Sequence, residues 1–136
     1  MRDPLSSSPG YSLRRASSAM TGLLAERLAA HELRTVEATV MLLIGENPQV
    51  TASKIGATLD IQRANMVPLL KRLEDAGLIE RTPIDGKSQG LALTAAGTTK
   101  MAAVRKTVDR FEAELIARVP EEHRAHLIPA LDALWR

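Results

Sequence analysis

The stretch from Thr51 to Gly77 constrains the fold more than any other part of the chain. Two short runs of apolar residues at helical spacing are separated there by a tight turn at Asp60 and Ile61. Thr51 is placed to cap the first helix, and Gly77 is the type of residue that commonly follows the end of a helix. Two helices of this size across so short a turn predict a helix-turn-helix motif.

Two helices are predicted on the N-terminal side of this motif. Apolar residues at helical spacing indicate a first helix from about Ser12 to Ala30. A second helix is predicted from Val36 to Glu46, with Thr35 as its N-cap. Because the centre of this second helix is apolar on every side, we expect several elements to pack around it.

After Gly77 the spacing of apolar residues changes from helical to alternating. Two short strands are predicted, at Leu78 to Pro83 and at Gln89 to Leu93, and the Asp85-Gly86 pair between them suits a hairpin turn. The chain is therefore expected to be mainly α-helical with one small β-hairpin.

Two further helices are predicted after the hairpin. Thr94 is placed to cap the first of them, and Gly97 would let its start lie close to the hairpin. Its apolar residues step by three and four, a spacing typical of paired helices; they are Met101, Val104, Val108, Phe111 and Leu115. Pro120 ends this helix and opens a last one, whose expected buried face comprises Ile128, Leu131 and Trp135.

The composition excludes several classes of site. A chain of 136 residues fits one domain, or a small domain plus an extension, and without cysteine it has neither disulfides nor thiolate metal sites. The formal net charge is only +2, so any basic surface must come from the placement of side chains. No apolar run approaches the roughly 20 residues that cross a bilayer, and Met1 to Gly10 does not read as a secretory signal, so we expect a soluble cytoplasmic protein without membrane contact.

Three stretches resemble, in this order and spacing, the MarR (multiple antibiotic resistance regulator) family of bacterial transcription factors. They are TASKIGATLDIQRANMV from Thr51, LKRLEDAGLIER from Leu70 and DGKSQGLALTAAG from Asp85. The resemblance implies a winged helix-turn-helix in each subunit of a homodimer, with long N- and C-terminal helices at the two-fold interface. It also implies a double-stranded DNA operator as partner, and a small organic effector bound between that interface and the DNA-binding lobe.

The resemblance also suggests a division of the chain. Residues 1–10 would be a flexible lead-in, residues 11–34 and 94–136 the dimerisation helices, and residues 35–93 the DNA-binding lobe. The implied interface residues are Leu13, Val108, Phe111, Leu115, Ile128, Leu131 and Trp135.

The fourth helix, predicted from about Gln62 to Ala76, resembles a recognition helix, whose N-terminal residues reach base edges. Gln62 and Asn65 suit adenine, and Arg63 suits guanine or a phosphate. The expected function is therefore a regulator of transcription, a repressor that binds a pseudo-palindromic operator as a homodimer and is released by its effector.

The hairpin resembles the wing of this family. Its candidate DNA contacts, with candidate phosphate contacts from the neighbouring helices, are Lys87, Ser88, Gln89, Ser53, Lys54 and Arg72. The family usually carries Asp-x-Arg at the wing, whereas here Lys87 follows Asp85 and lacks the planar fork of arginine. Pro68 is a second departure; because proline removes one helical hydrogen bond, we predict a local kink that aims the start of the helix.

A polar group on the first helix is a candidate for the effector pocket that the resemblance implies. It comprises Tyr11, Arg14, Arg15 and Ser18, with His31 following at the end of the helix. An arginine there could pair with a carboxylate, and Tyr11 could stack on an aromatic ring. The alternative interpretation is that these residues are surface charges and a loop histidine. Aromatic acids, phenols or their thioesters are the ligand classes that the family suggests.

Other functions are less well supported by the residues. Glu122, His123 and His126 fall within one helical turn, but further ligands for a metal are missing, so exposed polar residues are the favoured interpretation. The main alternative function is a winged-helix module that binds another protein and not DNA. An enzyme is not expected, because no nucleophile and base are arranged for catalysis, and no cofactor is expected either.

Overall fold

The computed structural model describes all 136 residues and contains six helices and one antiparallel hairpin. In chain order the elements are α1 (Pro9–Ala29), α2 (Thr35–Glu46), α3 (Ala52–Leu59), α4 (Arg63–Asp75), β1 (Ile79–Pro83), β2 (Gln89–Leu93), α5 (Ala95–Ala117) and α6 (Glu121–Asp132). The predicted fold class, mainly α-helical with a small β-hairpin, is confirmed. None of these helices combines enough length with enough apolar character to cross a membrane.

The start of α2 differs from the prediction. Thr35 is not the N-cap but the first helical residue, and Arg34 occupies the capping position. The carboxylate of Glu37 reaches back and accepts a hydrogen bond of 2.8 Å from the backbone amide of Arg34. A glutamate three residues into a helix can satisfy that amide, so the helix begins one residue earlier than predicted.

The helix-turn-helix is built as predicted. The hydroxyl of Thr51 accepts a hydrogen bond of 3.3 Å from the amide of Lys54, which confirms Thr51 as the cap of α3. Asp60 has a φ of 52°, in the left-handed region that aspartate tolerates, and it reverses the chain after α3. At the far end of α4, Gly77 has a φ of 71° and the amide of Leu78 donates 3.0 Å to the carbonyl of Leu73.

Pro68 lies within α4, and the helix continues through it from Arg63 to Asp75. The proline therefore does not end the helix, although it cannot donate a hydrogen bond to the carbonyl of Ala64. The kink that was expected at this position stays a prediction.

The hairpin and α5 are joined at the base of the sheet. Ile79 pairs with Leu93 at this end of the two strands. Thr94 caps α5 as predicted, since its hydroxyl accepts 3.0 Å from the amide of Gly97. The same hydroxyl donates 2.5 Å to the carbonyl of Gly77, which links the end of the helix-turn-helix to the start of α5.

The core consists of aliphatic side chains from α1 to α5 and from the hairpin. Val40, Met41 and Val104 are inaccessible or nearly so, which agrees with the expectation that α2 is surrounded. The last helix is different, because none of the residues of α6 is buried. In the single chain, the face expected to be buried is exposed, with Ile128 at 68%, Leu131 at 38% and Trp135 at 72%.

Candidate nucleic-acid interface and effector cavity

A polar cleft of about 600 Å³ lies between the starts of α3 and α4 and the hairpin. Five residues predicted to contact DNA line it, and they are Ser53, Arg63, Lys87, Ser88 and Gln89. These side chains come from three separate elements, so the fold brings together residues that the sequence leaves apart. The arrangement places hydroxyl, amide and cationic groups on one surface, which is the chemistry that binds nucleic acid.

The start of α4 supplies the exposed groups of this surface. Gln62, Arg63 and Asn65 are all exposed, and none of their side chains forms a hydrogen bond or an ion pair within the chain. Two residues on the opposite face, Met66 and Leu70, are buried and hold the helix on the core. The first turn carries no acidic residue, so the positive end of the helix dipole is not neutralised locally.

The tip of the hairpin is organised by Asp85. Its Oδ1 accepts hydrogen bonds of 2.8 Å from the amide of Lys87 and 2.7 Å from the amide of Ser88. These bonds, the one from Lys87 first, hold the pKa of the Asp85 carboxyl below its usual value. The carboxylate therefore binds backbone amides, and the ammonium group of Lys87 forms no ion pair with it.

Arg81 belongs to this surface and was missed in the sequence. It lines the same cleft from β1, and its Nε lies 2.6 Å from Oε1 of Glu74 at the end of α4. Alternation does not indicate it, because Arg81 lies two residues from the buried Ile79, on the same face of a regular strand, and yet is exposed. The ion pair connects the hairpin to α4.

The remaining candidates for phosphate contact lie outside the cleft. Lys54 is exposed on α3. Arg72 forms an ion pair of 3.1 Å with the buried Glu37, and its neighbour Lys71 pairs with Asp75 at 3.0 Å. Lys71 and Arg72 therefore both have acidic partners within the chain.

A second cavity, of about 350 Å³, lies between α1 and α5. Its lining residues are Arg27, Ala30, His31, Thr107, Arg110 and Glu114. His31 Nε2 lies 2.8 Å from the hydroxyl of Thr107, which fixes the imidazole at the cavity wall. Two arginines face one carboxylate here, so the cavity has an excess of positive charge.

Arg27 is the most constrained charged residue of this cavity. Its Nη2 donates to Oε2 of Glu114, and its guanidinium lies 5.9 Å from the ring centre of Phe111. Its Nη1 is buried without a hydrogen-bond partner. The hydrogen bond from Arg27 is the main cause that lowers the pKa of Glu114. A buried donor without a partner is unfavourable, so an acceptor that reached Nη1 would be stabilised.

The other residues predicted for an effector pocket form a separate group. Arg15 donates 3.3 Å to the hydroxyl of Tyr11, and the guanidinium groups of Arg14 and Arg15 lie 5.7 and 5.8 Å from the Tyr11 ring centre. The helical rise places Tyr11 and Ser18 roughly 20–30 Å along α1 from His31. Of the predicted pocket residues, only His31 lines the cavity between α1 and α5.

The residues predicted for a dimer interface also separate into two groups. Phe111 is 4% exposed and packs inside the subunit, so it offers little surface to a partner. Val108 and Leu115 are partly exposed, whereas Leu13 is exposed on α1. Leu134, which was not predicted, is 69% exposed and continues the apolar surface of α6.

Comparison with known proteins agrees with this architecture. Residues 33–88, which include α2, the helix-turn-helix and the first part of the hairpin, match the MarR family. A protein of Thauera aromatica described as a transcriptional regulatory protein for the hcr operon is 30% identical over 130 residues, covering 93% of this chain and 78% of that protein. The chain belongs to the MarR family.

Solved structures of the transcriptional repressor CouR are similar to this chain. The transcriptional repressor CouR bound to a 23-mer DNA duplex is 33% identical, with a TM-score of 0.87 over 97% of this chain and 95% of that one. CouR bound to p-coumaroyl-CoA is 31% identical, with a TM-score of 0.86 over 100% of this chain and 97% of that one. This MarR-family protein is a transcriptional regulator, and its winged helix-turn-helix is confirmed.

Proposed function

We propose that this MarR-family regulator is a homodimeric repressor that binds a pseudo-palindromic operator and is released by an aromatic acyl-CoA thioester. The observation that carries the proposal is the cleft in which Ser53, Arg63 and Lys87 meet. Support comes from the DNA-bound structure of CouR, whose fold and length this chain shares.

In this proposal α4 reads the major groove. Gln62 and Asn65 hydrogen-bond adenine, and Arg63 contacts guanine or a phosphate. Each good bidentate contact contributes about 1–3 kcal/mol of discrimination against the wrong base. The wing residues Lys87, Ser88 and Gln89 lie against the minor groove or backbone, whereas Ser53, Lys54 and Arg72 bind phosphates and set the register.

The exposed apolar residues of the terminal helices support the dimer. Ile128, Leu131, Leu134 and Trp135 expose large apolar side chains at the C-terminal end, with Leu13 similarly exposed on α1. Several large apolar side chains exposed near one end of a chain are typical of a protein interface. Residues 11–34 and 94–136 therefore act as the dimerisation part and residues 35–93 as the DNA-binding lobe. Half-sites about one helical turn apart, roughly 34–36 Å, then match the two recognition helices.

The cavity between α1 and α5 is the proposed effector site. Its unpaired Arg27 Nη1 and its excess of positive charge favour a ligand that carries acceptor oxygens and negative charge. The complex of CouR with p-coumaroyl-CoA favours the thioester among the ligand classes considered. A contribution from Tyr11, Arg14, Arg15 and Ser18 stays a prediction, because it requires the partner subunit to bring them near a ligand.

The proposed release mechanism is a change in the separation of the two recognition helices. The cavity is formed by α1 and α5, and the hydrogen bond from Thr94 to Gly77 links the start of α5 to the end of the helix-turn-helix. A ligand that favours one arrangement of these helices lowers the affinity for DNA, and DNA lowers the affinity for the ligand by the same factor.

Gel-shift titration of the upstream region of the regulator's own gene tests the proposal. We expect specific binding that weakens steeply with salt, and loss of base discrimination in Arg63→Ala and Asn65→Ala. Arg105→Ala is the matched control, since it removes another exposed arginine from α5, outside the cleft. Unchanged discrimination in both cleft variants would remove the assigned readers, and salt-independent binding would favour a protein partner.

A further inference from the structure

Glu37 is the one charged side chain that the fold buries, with 2% of its surface exposed. Both of its oxygens are used: Oε2 accepts 2.8 Å from the amide of Arg34, and Oε1 lies 3.1 Å from Nε of Arg72. A buried ion pair is rarely more stabilising than an apolar pair of the same size. Capping of α2 accounts for Oε2, but stability alone does not account for the ion pair between Oε1 and Arg72.

The ion pair with Glu37 leaves most N–H groups of Arg72 available for another contact. The side chain of Arg72 remains 48% exposed and has no other ion pair or side-chain hydrogen bond in the chain. A guanidinium carries five N–H donors in a rigid plane, so fixing Nε orients the terminal nitrogens as well. The adjacent Lys71 offers a contrast, because its acidic partner Asp75 is itself 64% exposed.

The position of Arg72 on α4 suits a contact beside the groove. Seven residues separate it from Asn65, which corresponds to about two turns and about 10 Å along a helix, so the two side chains lie on the same face of α4. The major groove is about 12 Å wide, so a helix that reads bases with its first turn carries its third turn to the level of the bordering phosphates.

We propose that Glu37 is a positioning residue for DNA binding, which holds Arg72 so that its free N–H groups meet a phosphate next to the recognition helix. The inference rests on the proposed operator binding. An arginine already held in the binding orientation loses less side-chain entropy when the phosphate arrives. The anchor lies at the start of α2 and not on α4, so the orientation of Arg72 depends on how the recognition helix sits on the lobe.

The test is the salt dependence of operator binding by the full-length dimer. Each phosphate contact contributes about 0.9 to the slope of log affinity against log salt. Arg72→Ala should therefore lower the slope by about 1.8 for two half-sites. We also expect it to weaken binding about tenfold for each half-site, since each copy removes a charged hydrogen bond. Arg105→Ala, on α5, should leave the slope unchanged.

A double-mutant cycle isolates the role of Glu37. Glu37→Gln keeps the size of the side chain but removes its charge. We expect Arg72→Ala to reduce operator affinity less in the Glu37→Gln background than in the unsubstituted protein. If Glu37 has a purely structural role, Arg72→Ala should reduce operator affinity equally in both backgrounds, and that result would overturn the inference. An unchanged salt slope in Arg72→Ala would also overturn the inference. This measurement does not depend on whether Glu37→Gln folds. If the unsubstituted protein binds no operator, the proposed function fails and the inference fails with it.

Discussion

Gly97, in the first turn of α5, packs directly against the carbonyl group of Leu78, the residue that precedes β1. A Cβ atom added at Gly97 would lie 1.9 Å from that oxygen. The same oxygen accepts 3.0 Å from the amide of Thr94. Since the obstacle is backbone that is already hydrogen-bonded, it cannot move aside as a flexible side chain would. This close approach joins the DNA-binding lobe to the long helix of the proposed dimer interface.

Gly97→Ala is expected to destabilise the fold by about 1–3 kcal/mol, because the backbone must shift to admit the methyl group. The free energy of unfolding from denaturant titration measures the loss. Gly10→Ala is the matched control in the first turn of α1, where an added Cβ meets nothing within 4 Å. It should be neutral or stabilising by up to about 1 kcal/mol. Equal stability of Gly97→Ala and the unsubstituted protein would contradict the close approach.

Ile128→Glu is expected to yield a monomer, because it places a charge within the exposed apolar surface of α6. Sedimentation velocity measures the mass of the species, and operator binding should weaken together with dimerisation. Ile84→Glu makes the same change at an exposed isoleucine of the hairpin loop, where 42% of the residue is accessible, and should remain dimeric. A dimeric Ile128→Glu variant would exclude this part of α6 from the interface.

Binding of p-coumaroyl-CoA is expected to raise the thermal midpoint and to release the operator, whereas coenzyme A alone should do neither. Arg27→Ala should reduce the affinity for the thioester about tenfold or more, since Arg27 lines the cavity and carries an unpaired N–H group. Arg27→Lys should not restore it, because lysine lacks the planar fork. Isothermal titration calorimetry provides the measurement. Full affinity in Arg27→Ala would place the effector elsewhere.

The ion pair between Arg27 and Glu114 predicts a pH dependence. The hydrogen bond from Arg27 lowers the pKa of Glu114 from its ordinary value of 4.5. A group with a depressed pKa stabilises the folded state above its unfolded pKa, and this contribution is lost as the pH falls through the folded pKa. Glu114→Gln should therefore be less stable than the unsubstituted protein at neutral pH, and the difference should disappear only when the pH falls below the lowered pKa of Glu114, which itself lies below 4.5. A difference in stability that persists below that pKa would have a cause other than the charge of Glu114.

Pro68→Ala is expected to stabilise α4, by at most about 3 kcal/mol, because it restores one helical hydrogen bond. If the proline aims the start of α4, the same variant should weaken operator binding despite its greater stability. Pro129→Ala provides the control, since it restores an equivalent bond in α6, away from the cleft. Operator affinity that is unchanged in Pro68→Ala would contradict the predicted kink.

The order and type of the elements could be predicted because their signals are local. Thr51 and Thr94 cap their helices, and Gly77 adopts the positive φ expected after a helix. Each of these features depends on residues within about five positions along the chain, so spacing and residue type are sufficient. Thr35 shows the limit, because a competing glutamate three residues into α2 moved the cap to Arg34.

The composition of the sites could be predicted only in part. Five of the residues proposed for DNA contact line the cleft, because the helix-turn-helix and wing arrange them in a way that the family resemblance implies. Arg81 was missed, since a charged residue in a short strand has the same pattern whether it faces a cleft or open solvent. Tyr11 and His31 were grouped because both accompany one helix, although that helix separates them.

The contacts that make the sites chemically distinctive depend on the tertiary structure. Arg27 and Glu114 are 87 positions apart in the chain, and Arg72 meets Glu37 only because α4 packs beside the start of α2. Apolar periodicity indicates which side of a helix faces the core, but it carries no information on which polar groups meet across that core. Chain order and local capping therefore follow from neighbouring residues, whereas the pairing of charges follows from how the helices pack.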